Sequence, residues 1–195
     1  MLPMIKRKNE ATQSANELKI ILNAACTLKV RNFQFFPKDF FEDAYIVGFI
    51  AGFVNALIDL ECLKQNAIWA MNSEKWSDKV KLNFQVAFIQ NLDDFGTTRY
   101  HRSILEDNEL DKLLKLDDFE NAKRYGFLFC ALFYQVVPKD MTTGNTSQQN
   151  AVLSEARGMA QRSNNDFDVK SSLLSLTLWQ HVYEKWGSNE RHMKF

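Results

Sequence analysis

The side chains best suited to bind a ligand form one compact basic and aromatic cluster, Arg99, Tyr100, His101 and Arg102. An arginine side chain presents a fork of N–H donors that matches a phosphate group, and a tyrosine ring can stack on a nucleic-acid base. The cluster is therefore our candidate nucleic-acid contact, together with the basic residues 6–8 near the N-terminus. The competing interpretation, a solvated helix end that carries cations, is the one we favour.

Two further pairs of side chains have the spacing of metal ligands on a helix. His181 and Glu184 are three residues apart, and so are Glu106 and Glu109. Helical metal-dependent hydrolases hold Mg²⁺ between carboxylate pairs, but they need a second pair on a later helix, and the acids at 117–120 do not have the required spacing. A metal-dependent hydrolase with an acidic helix site is accordingly an alternative only. We predict no catalytic residue, no cofactor and no metal.

The cysteines and the apolar segments bear on the compartment. The chain has three cysteines, an odd number, and each lies in an apolar segment: Cys26, Cys62 and Cys130. This pattern is typical of reduced, buried thiols. The apolar segments 44–58 and 125–137 are shorter than the roughly 18–20 residues that span a bilayer. No apolar segment follows the basic N-terminus at the distance expected for a signal peptide. We therefore expect a cytoplasmic protein that does not insert into a membrane.

Composition favours a helical domain. The 195 residues suit a single domain, and the 24 basic and 24 acidic side chains cancel, which disfavours a histone-like or polybasic protein. Sixteen phenylalanines and a hydrophobic content of 46% exclude a disordered chain. Only seven glycines and three prolines imply few turns and long helices. The predicted fold is all-α, a single-domain bundle of six or seven helices around two apolar central helices.

The two central helices are recognised by their apolar residues and their start signals. Pro37 and the acids that follow it favour a helix start, and the predicted helix runs over 38–64 with a middle that is apolar on all sides. Gly48 and Gly52 form a small-residue pair that permits a close crossing with another helix. The predicted partner is the apolar helix over 125–137.

One segment has two conflicting periodicities. Apolar and polar residues alternate strictly over 80–88, which is a strand signal, and a similar run occurs at 31–35. The same segment also carries Val80, Phe84, Phe88 and Leu92 at helical spacing. We favour the helix. The alternative is an α+β fold with a small sheet that uses residues near 30–36 and 80–90.

The remaining organisation follows from composition along the chain. Residues 1–195 are predicted to be one helical domain with a basic N-terminal arm over 1–9. The polar segment 139–150 contains a glycine and is predicted to be a flexible loop. C-terminal helices over 151–187 follow the loop, and the last of them is predicted over about 168–186, with Gly187 at its end.

The function that this pattern favours is a non-enzymatic, helical interaction protein. Residues 1–31 carry six basic and two acidic side chains, whereas 92–120 carry nine acidic and four basic ones. Complementary surfaces of this kind steer association, and surplus aromatic residues are favoured at interfaces. We expect a small bacterial accessory or mobile-element protein that binds a protein partner or forms a homodimer. The candidate interface residues are Trp179, Tyr183 and Trp186.

Overall fold

The structure is a computed structural model that describes residues 2–29, 36–37, 39–68, 77–92, 99, 102–103, 107–134, 147–162 and 168–187. These residues form eight α-helices and one short 3₁₀ segment, Phe40–Glu42, and include no strand. The helices are α1 (Leu2–Lys29), α2 (Ala44–Ile68), α3 (Asp78–Leu92), α4 (Asp107–Leu113), α5 (Asp117–Phe133), α6 (Ser147–Arg162), α7 (Val169–Leu176) and α8 (Leu178–Trp186). The predicted all-α bundle is confirmed.

The centre of the bundle is the contact between α2 and α5, the most extensive contact between any two described helices. Three glycines bring the two backbones together. A Cβ atom at Gly48 would overlap the Phe119 carbonyl oxygen, and one at Gly52 would overlap the Lys123 carbonyl oxygen. Gly126 of α5 meets the α2 backbone in the same way. The predicted crossing at the small-residue pair is thus confirmed.

The segment with two periodicities is helical, so the alternative of a sheet near residues 80–90 is wrong. Its buried residues are Phe84, Phe88, Ile89 and Leu92, which recur at helical spacing, whereas Leu82 of the alternating pattern is 37% exposed. The helix α3 packs along α1, whose small and apolar stripe faces it. When one helix packs along another, the residues at helical spacing become buried. Residues at alternating spacing point to several sides of the helix and are not buried together. The proposed second strand at 31–35 lies outside the described residues.

Several predicted boundaries differ from the observed ones. The helix α1 begins at Leu2, so the segment predicted as an arm over 1–9 has a helical backbone from its second residue onward. The helix α6 begins at Ser147, within the predicted loop 139–150, and residues 139–146 lie outside the described part. The predicted terminal helix is interrupted at Thr177, which separates α7 from α8. No described helix is both long and apolar enough to cross a membrane.

The break at Thr177 has a local cause. The Thr177 hydroxyl donates a 2.7 Å hydrogen bond to the carbonyl oxygen of Leu173, one turn earlier. A hydroxyl that bonds back in this way competes with the helical backbone and often bends a helix. Thr177 has φ −120° and ψ −91°, far from helical values, and its backbone carbonyl accepts the His181 N–H of α8. The break therefore gives α8 its own direction and its own start.

Many of the phenylalanines fill the core of the bundle. Phe49, Phe53, Phe88 and Phe129 are completely or almost completely buried between α2, α3 and α5. Phe40 of the 3₁₀ segment is also fully buried, and its ring lies 5.3 Å from the Trp186 ring of α8. The aromatic surplus noted in the sequence is therefore used largely inside the domain, where it ties the 3₁₀ segment and α8 to the central helices.

Candidate functional site

A cavity of about 400 Å³ lies where the first turns of α2, α5 and α6 meet the junction of α7 and α8. We call it the polar cavity, because nine of its eleven lining residues carry hydrogen-bonding side chains. Val152 and Leu176 supply an apolar wall. The other lining residues are Tyr45, Asp118, Asn121, Tyr125, Gln148, Thr177, Gln180, His181 and Glu184.

The burial of the lining residues shows how the polar cavity is arranged. Tyr125 and Thr177 are buried, and Tyr45 and His181 are half-buried, so these four form the floor. Asp118, Gln148, Gln180 and Glu184 are exposed and form the rim. A ligand that entered between the rim residues would meet aromatic and hydroxyl groups at the bottom.

Asp43 holds one wall of the polar cavity in place. Its Oδ1 accepts a 2.9 Å hydrogen bond from the Ile46 backbone N–H, which caps the N-terminus of α2. The same oxygen accepts a hydrogen bond from His181 Nε2, also at 2.9 Å, and Oδ2 accepts one from Lys185 Nζ at 2.5 Å. One carboxylate thereby joins the start of α2 to α8 across 138 residues of sequence.

The environment of Asp43 keeps its carboxyl group ionised. Burial, which leaves the side chain only 9% exposed, would raise the pKa of the Asp43 carboxyl. Hydrogen bonds from His181, Lys185 and the Ile46 backbone outweigh that effect and lower the pKa to about 2. Asp43 is therefore an anion throughout the neutral range, and its ties to α8 persist there.

The His181 ring is fixed on several sides. The Tyr45 ring stacks on it with a centroid distance of 4.2 Å and an interplanar angle of 11°. The Trp186 ring meets it edge-on at 6.1 Å, and Trp186 Nε1 in turn donates to Asp39 Oδ1 at 3.1 Å. Because Nε2 carries the proton donated to Asp43, a neutral imidazole keeps Nδ1 as its hydrogen-bond acceptor.

The two lining tyrosines remain protonated. Burial raises the pKa of the Tyr45 hydroxyl, and the negative charges of Asp118, Asp43 and Glu184 raise it further, together with the neighbouring Tyr125. Burial also raises the pKa of Tyr125. Both phenols are therefore neutral, and each can donate or accept a hydrogen bond. Three carboxylates therefore lie close enough to Tyr45 to contribute to its shift.

The predicted nucleic-acid cluster is only partly described, and its arginines are engaged within the chain. Arg99 Nε donates to Glu109 Oε1 at 2.6 Å, and Arg102 Nη2 donates to Glu42 Oε2 at 2.5 Å. The Arg99 hydrogen bond lowers the pKa of Glu109. Tyr100 and His101 lie outside the described residues. A phosphate would have to replace carboxylates at both arginines, so the geometry adds no support to this contact, which stays a prediction.

The side-chain pairs with metal-ligand spacing form no metal-binding group among the described residues. His181 bonds to Asp43, whereas Glu184 accepts a 2.8 Å hydrogen bond from Gln180 Nε2. Glu109 is engaged by Arg99 and, at 3.4 Å, by Lys112, and Glu106 lies outside the described part of the chain. Within that part, no group of three or more His, Cys, Asp or Glu side chains is placed to hold a metal ion.

The predicted interface residues differ in accessibility. Trp186 is buried beneath the 3₁₀ segment with 6% of its surface exposed, and Trp179 is half-buried against the core. Tyr183 is 54% exposed on the outer side of α8. Of the three, Tyr183 is thus the one that a partner could contact without displacing the C-terminal helices from the domain.

The sequence pattern missed Asp43 as a functional residue. It favours a helix start after Pro37, and Asp43 contributes to that signal through its charge. Its second role depends on α8 reaching the N-terminus of α2, which no local spacing records. The sequence pattern pairs His181 with a carboxylate, but with that of Glu184, which is close in sequence. In the structure, His181 pairs with Asp43, which is distant in sequence and close in space.

No family model, curated protein or solved structure matches this chain.

Proposed function

We propose that the chain is a non-enzymatic binding protein that takes a small polar molecule into the polar cavity. The observation that carries the proposal is a cavity of about 400 Å³ that is lined by hydrogen-bonding side chains from α2, α5, α6 and the α7–α8 junction. Binding sites for small molecules are concave, largely pre-formed and of this size range. Asp43 and the stacked Tyr45 ring keep His181 in one orientation, which supports a pre-formed site.

Two lining tyrosines and the carboxylate that holds His181 each keep one protonation state at neutral pH, which supports a binding role. A general acid or base works best when its pKa lies near the operating pH. The pKa of Asp43 is about 2, and burial raises the pKa of both Tyr45 and Tyr125 above the ordinary tyrosine range. These three groups therefore hold their protonation states at neutral pH and serve as fixed hydrogen-bonding partners.

Ligand-observed NMR against a mixture of small polar compounds tests this proposal. Gln148→Trp places a bulky ring on the rim of the polar cavity at an exposed position, where the fold should tolerate it. Ser154→Trp is the matched control, because Ser154 is exposed on the same helix and does not line the cavity. We expect binding to be lost in Gln148→Trp and kept in Ser154→Trp. Equal binding by both variants would contradict the site.

A second candidate function is self-association, and a patch of exposed leucines favours it. Leu110, Leu114 and Leu116 are 37%, 45% and 39% exposed at the end of α4 and in the turn before α5. They lie in the acidic region 92–120, which the basic region 1–31 of a second copy would complement. We propose that this patch contacts the basic region of another copy of the chain.

Light scattering coupled to size exclusion tests the self-association proposal. The double substitution Leu114→Ser with Leu116→Ser should lower the measured mass from a dimer towards a monomer. Leu82→Ser, at a leucine of similar exposure on α3, is the control and should leave the mass unchanged. A monomer mass for the unsubstituted chain at tens of micromolar would contradict the proposal.

A further inference from the structure

We infer that the ligand of the polar cavity is a protonated alkyl amine, recognised by the carboxylates of Asp118 and Glu184. This inference rests on the proposed function, because it names the chemical class of the molecule that would occupy the same cavity. The supporting observations are the charge of the lining, the balance of donors and acceptors, and the position of the apolar wall.

The charge of the lining selects a cation. Asp118 and Glu184 carry formal negative charge, and no residue lining the polar cavity is a lysine or an arginine. Neither carboxylate forms an ion pair with a basic side chain among the described residues, since Glu184 accepts only from the Gln180 amide. The nearby Lys185 is held by Asp43 at 2.5 Å. A bound cation would supply the missing countercharge, whereas an anion would be repelled.

The hydrogen-bonding groups distinguish an amine from a bare metal ion. An alkylammonium group has three N–H donors and no acceptor, so it needs several acceptors around it. The rim offers the two carboxylates and the amide oxygens of Gln148 and Gln180, and Asn121 adds another amide. The carboxylates belong to no cluster of three metal-ligating side chains in the described part of the chain.

The apolar wall fits the rest of such a ligand. Val152 and Leu176 are the apolar members of an otherwise polar lining, and both are half-buried. A short methylene chain could lie against them while its ammonium groups remain near the rim. An alkyl diamine carries one charge at each end of such a chain, one for each of the two lining carboxylates.

Isothermal titration calorimetry of the full chain at low salt and neutral pH tests the inference, with 1,4-diaminobutane as the probe. We expect saturable binding that weakens as salt is added, because salt screens the attraction between exposed charges. Asp118→Asn and Glu184→Gln should each weaken binding by at least about tenfold, and unchanged binding in both would overturn the inference. Asp117→Asn is the matched control, since Asp117 is exposed beside Asp118 and does not line the cavity.

Three further probes identify the source of the amine and separate this inference from the proposed function. 1,4-Butanediol and succinate match the diamine in length but lack its positive charge. If either of them binds, is blocked by Gln148→Trp and binds as tightly as the diamine, the cavity is a binding site but the amine class is wrong. If none of the probes binds, the amine class is wrong, and the compound mixture with Gln148→Trp and Ser154→Trp decides the proposed function separately. Tighter binding of Nα-acetyl-lysinamide than of the diamine would support the amine class and assign it to a lysine side chain of a partner.

Discussion

The close crossing of α2 and α5 and the polar cavity are built from the same two helices within a few residues of each other. At the crossing, Gly48 and Gly52 bring α2 against the carbonyl oxygens of α5 and leave no room for a side chain. Tyr45, about one turn before Gly48, and Asp118, directly before Phe119, line an open cavity. The crossing therefore sets the relative position of the cavity walls that α2 and α5 supply.

Gly52→Leu should have the largest effect on this arrangement. A side chain at Gly52 would overlap the Lys123 carbonyl oxygen, which belongs to a helical backbone and cannot turn aside. Overpacking of this kind should cost about 3 kcal/mol of unfolding free energy. Denaturant unfolding measures the loss.

Gly158→Ala is the control for the glycine substitution. The nearest atom to a Cβ at Gly158 is the end of the Arg162 side chain at 3.6 Å, which is ordinary contact. Alanine should raise the unfolding free energy by about 0.5–1 kcal/mol, because it favours the helix more than glycine does. Similar stabilities for Gly52→Leu and Gly158→Ala would show that the α2–α5 crossing is not close.

Asp43→Asn should have the next largest effect, and it acts on the polar cavity. Asparagine can still cap α2, but it loses the charge that attracts Lys185 and the hydrogen-bonded His181. We expect a loss of about 1–3 kcal/mol in unfolding free energy at neutral pH. Asp78→Asn, at a fully exposed aspartate in the first turn of α3, should change stability little.

The difference between the unsubstituted chain and Asp43→Asn should depend on pH in a defined direction. The folded-state pKa of Asp43, about 2, lies below the ordinary aspartate value near 4. The stabilisation is therefore fully present above about pH 4 and is lost as the pH falls towards 2. Thermal unfolding across this window measures the difference, and a constant gap would show that the carboxylate charge is not its source.

Thr177→Val should have a smaller effect, confined to the junction of α7 and α8. Valine has nearly the same shape but cannot donate to the Leu173 carbonyl oxygen, so the cost should be about 1 kcal/mol. Thr177→Ser keeps the hydroxyl and is the comparison, apart from a lost methyl group. If valine were as stable as threonine, the hydrogen bond would not account for the break in the helix.

Arg102→Ala should have the smallest effect of the series. Arg102 forms an ion pair with Glu42, and their side chains are 38% and 45% exposed, respectively. Exposed ion pairs contribute about 0–1 kcal/mol to the unfolding free energy. Thermal unfolding at low and high salt measures the contribution, which should shrink as salt is added. A loss comparable with that of Asp43→Asn would mean that this ion pair is as important to the bundle as the ties between α2 and α8.

The sequence predicts the crossing much better than it predicts the cavity, for a physical reason. Gly48 and Gly52 are one turn apart, and apolar spacing identifies both central helices, because these features are local and repeat with the helical period. The bond between Asp43 and His181 joins residues 138 positions apart. This bond forms only because the helix is interrupted at Thr177, which gives α8 a new direction. Thr177 is neither a glycine nor a proline, so the sequence contains no ordinary signal for the interruption.

The segment over 80–88 shows the same limit on a smaller scale. Its alternating and helical patterns both exist in the sequence, and local propensity does not decide between them. The stripe of α1 that contains Ala11, Ala15 and Leu18 decides in favour of the helix, because a helix can pack along it and bury Phe84 and Phe88. The outcome is therefore a tertiary effect.

Residue-resolved NMR during a titration with 1,4-diaminobutane observes the crossing and the polar cavity in one experiment. We expect saturable shifts of the backbone amides of Gln148, Gln180 and Glu184, and no shift of Gly52 at the crossing. The titration should give no such shifts in Gln148→Trp. Absence of saturable shifts at the cavity residues, or shifts that are equally large at Gly52, would contradict the claim that the polar cavity is the binding site.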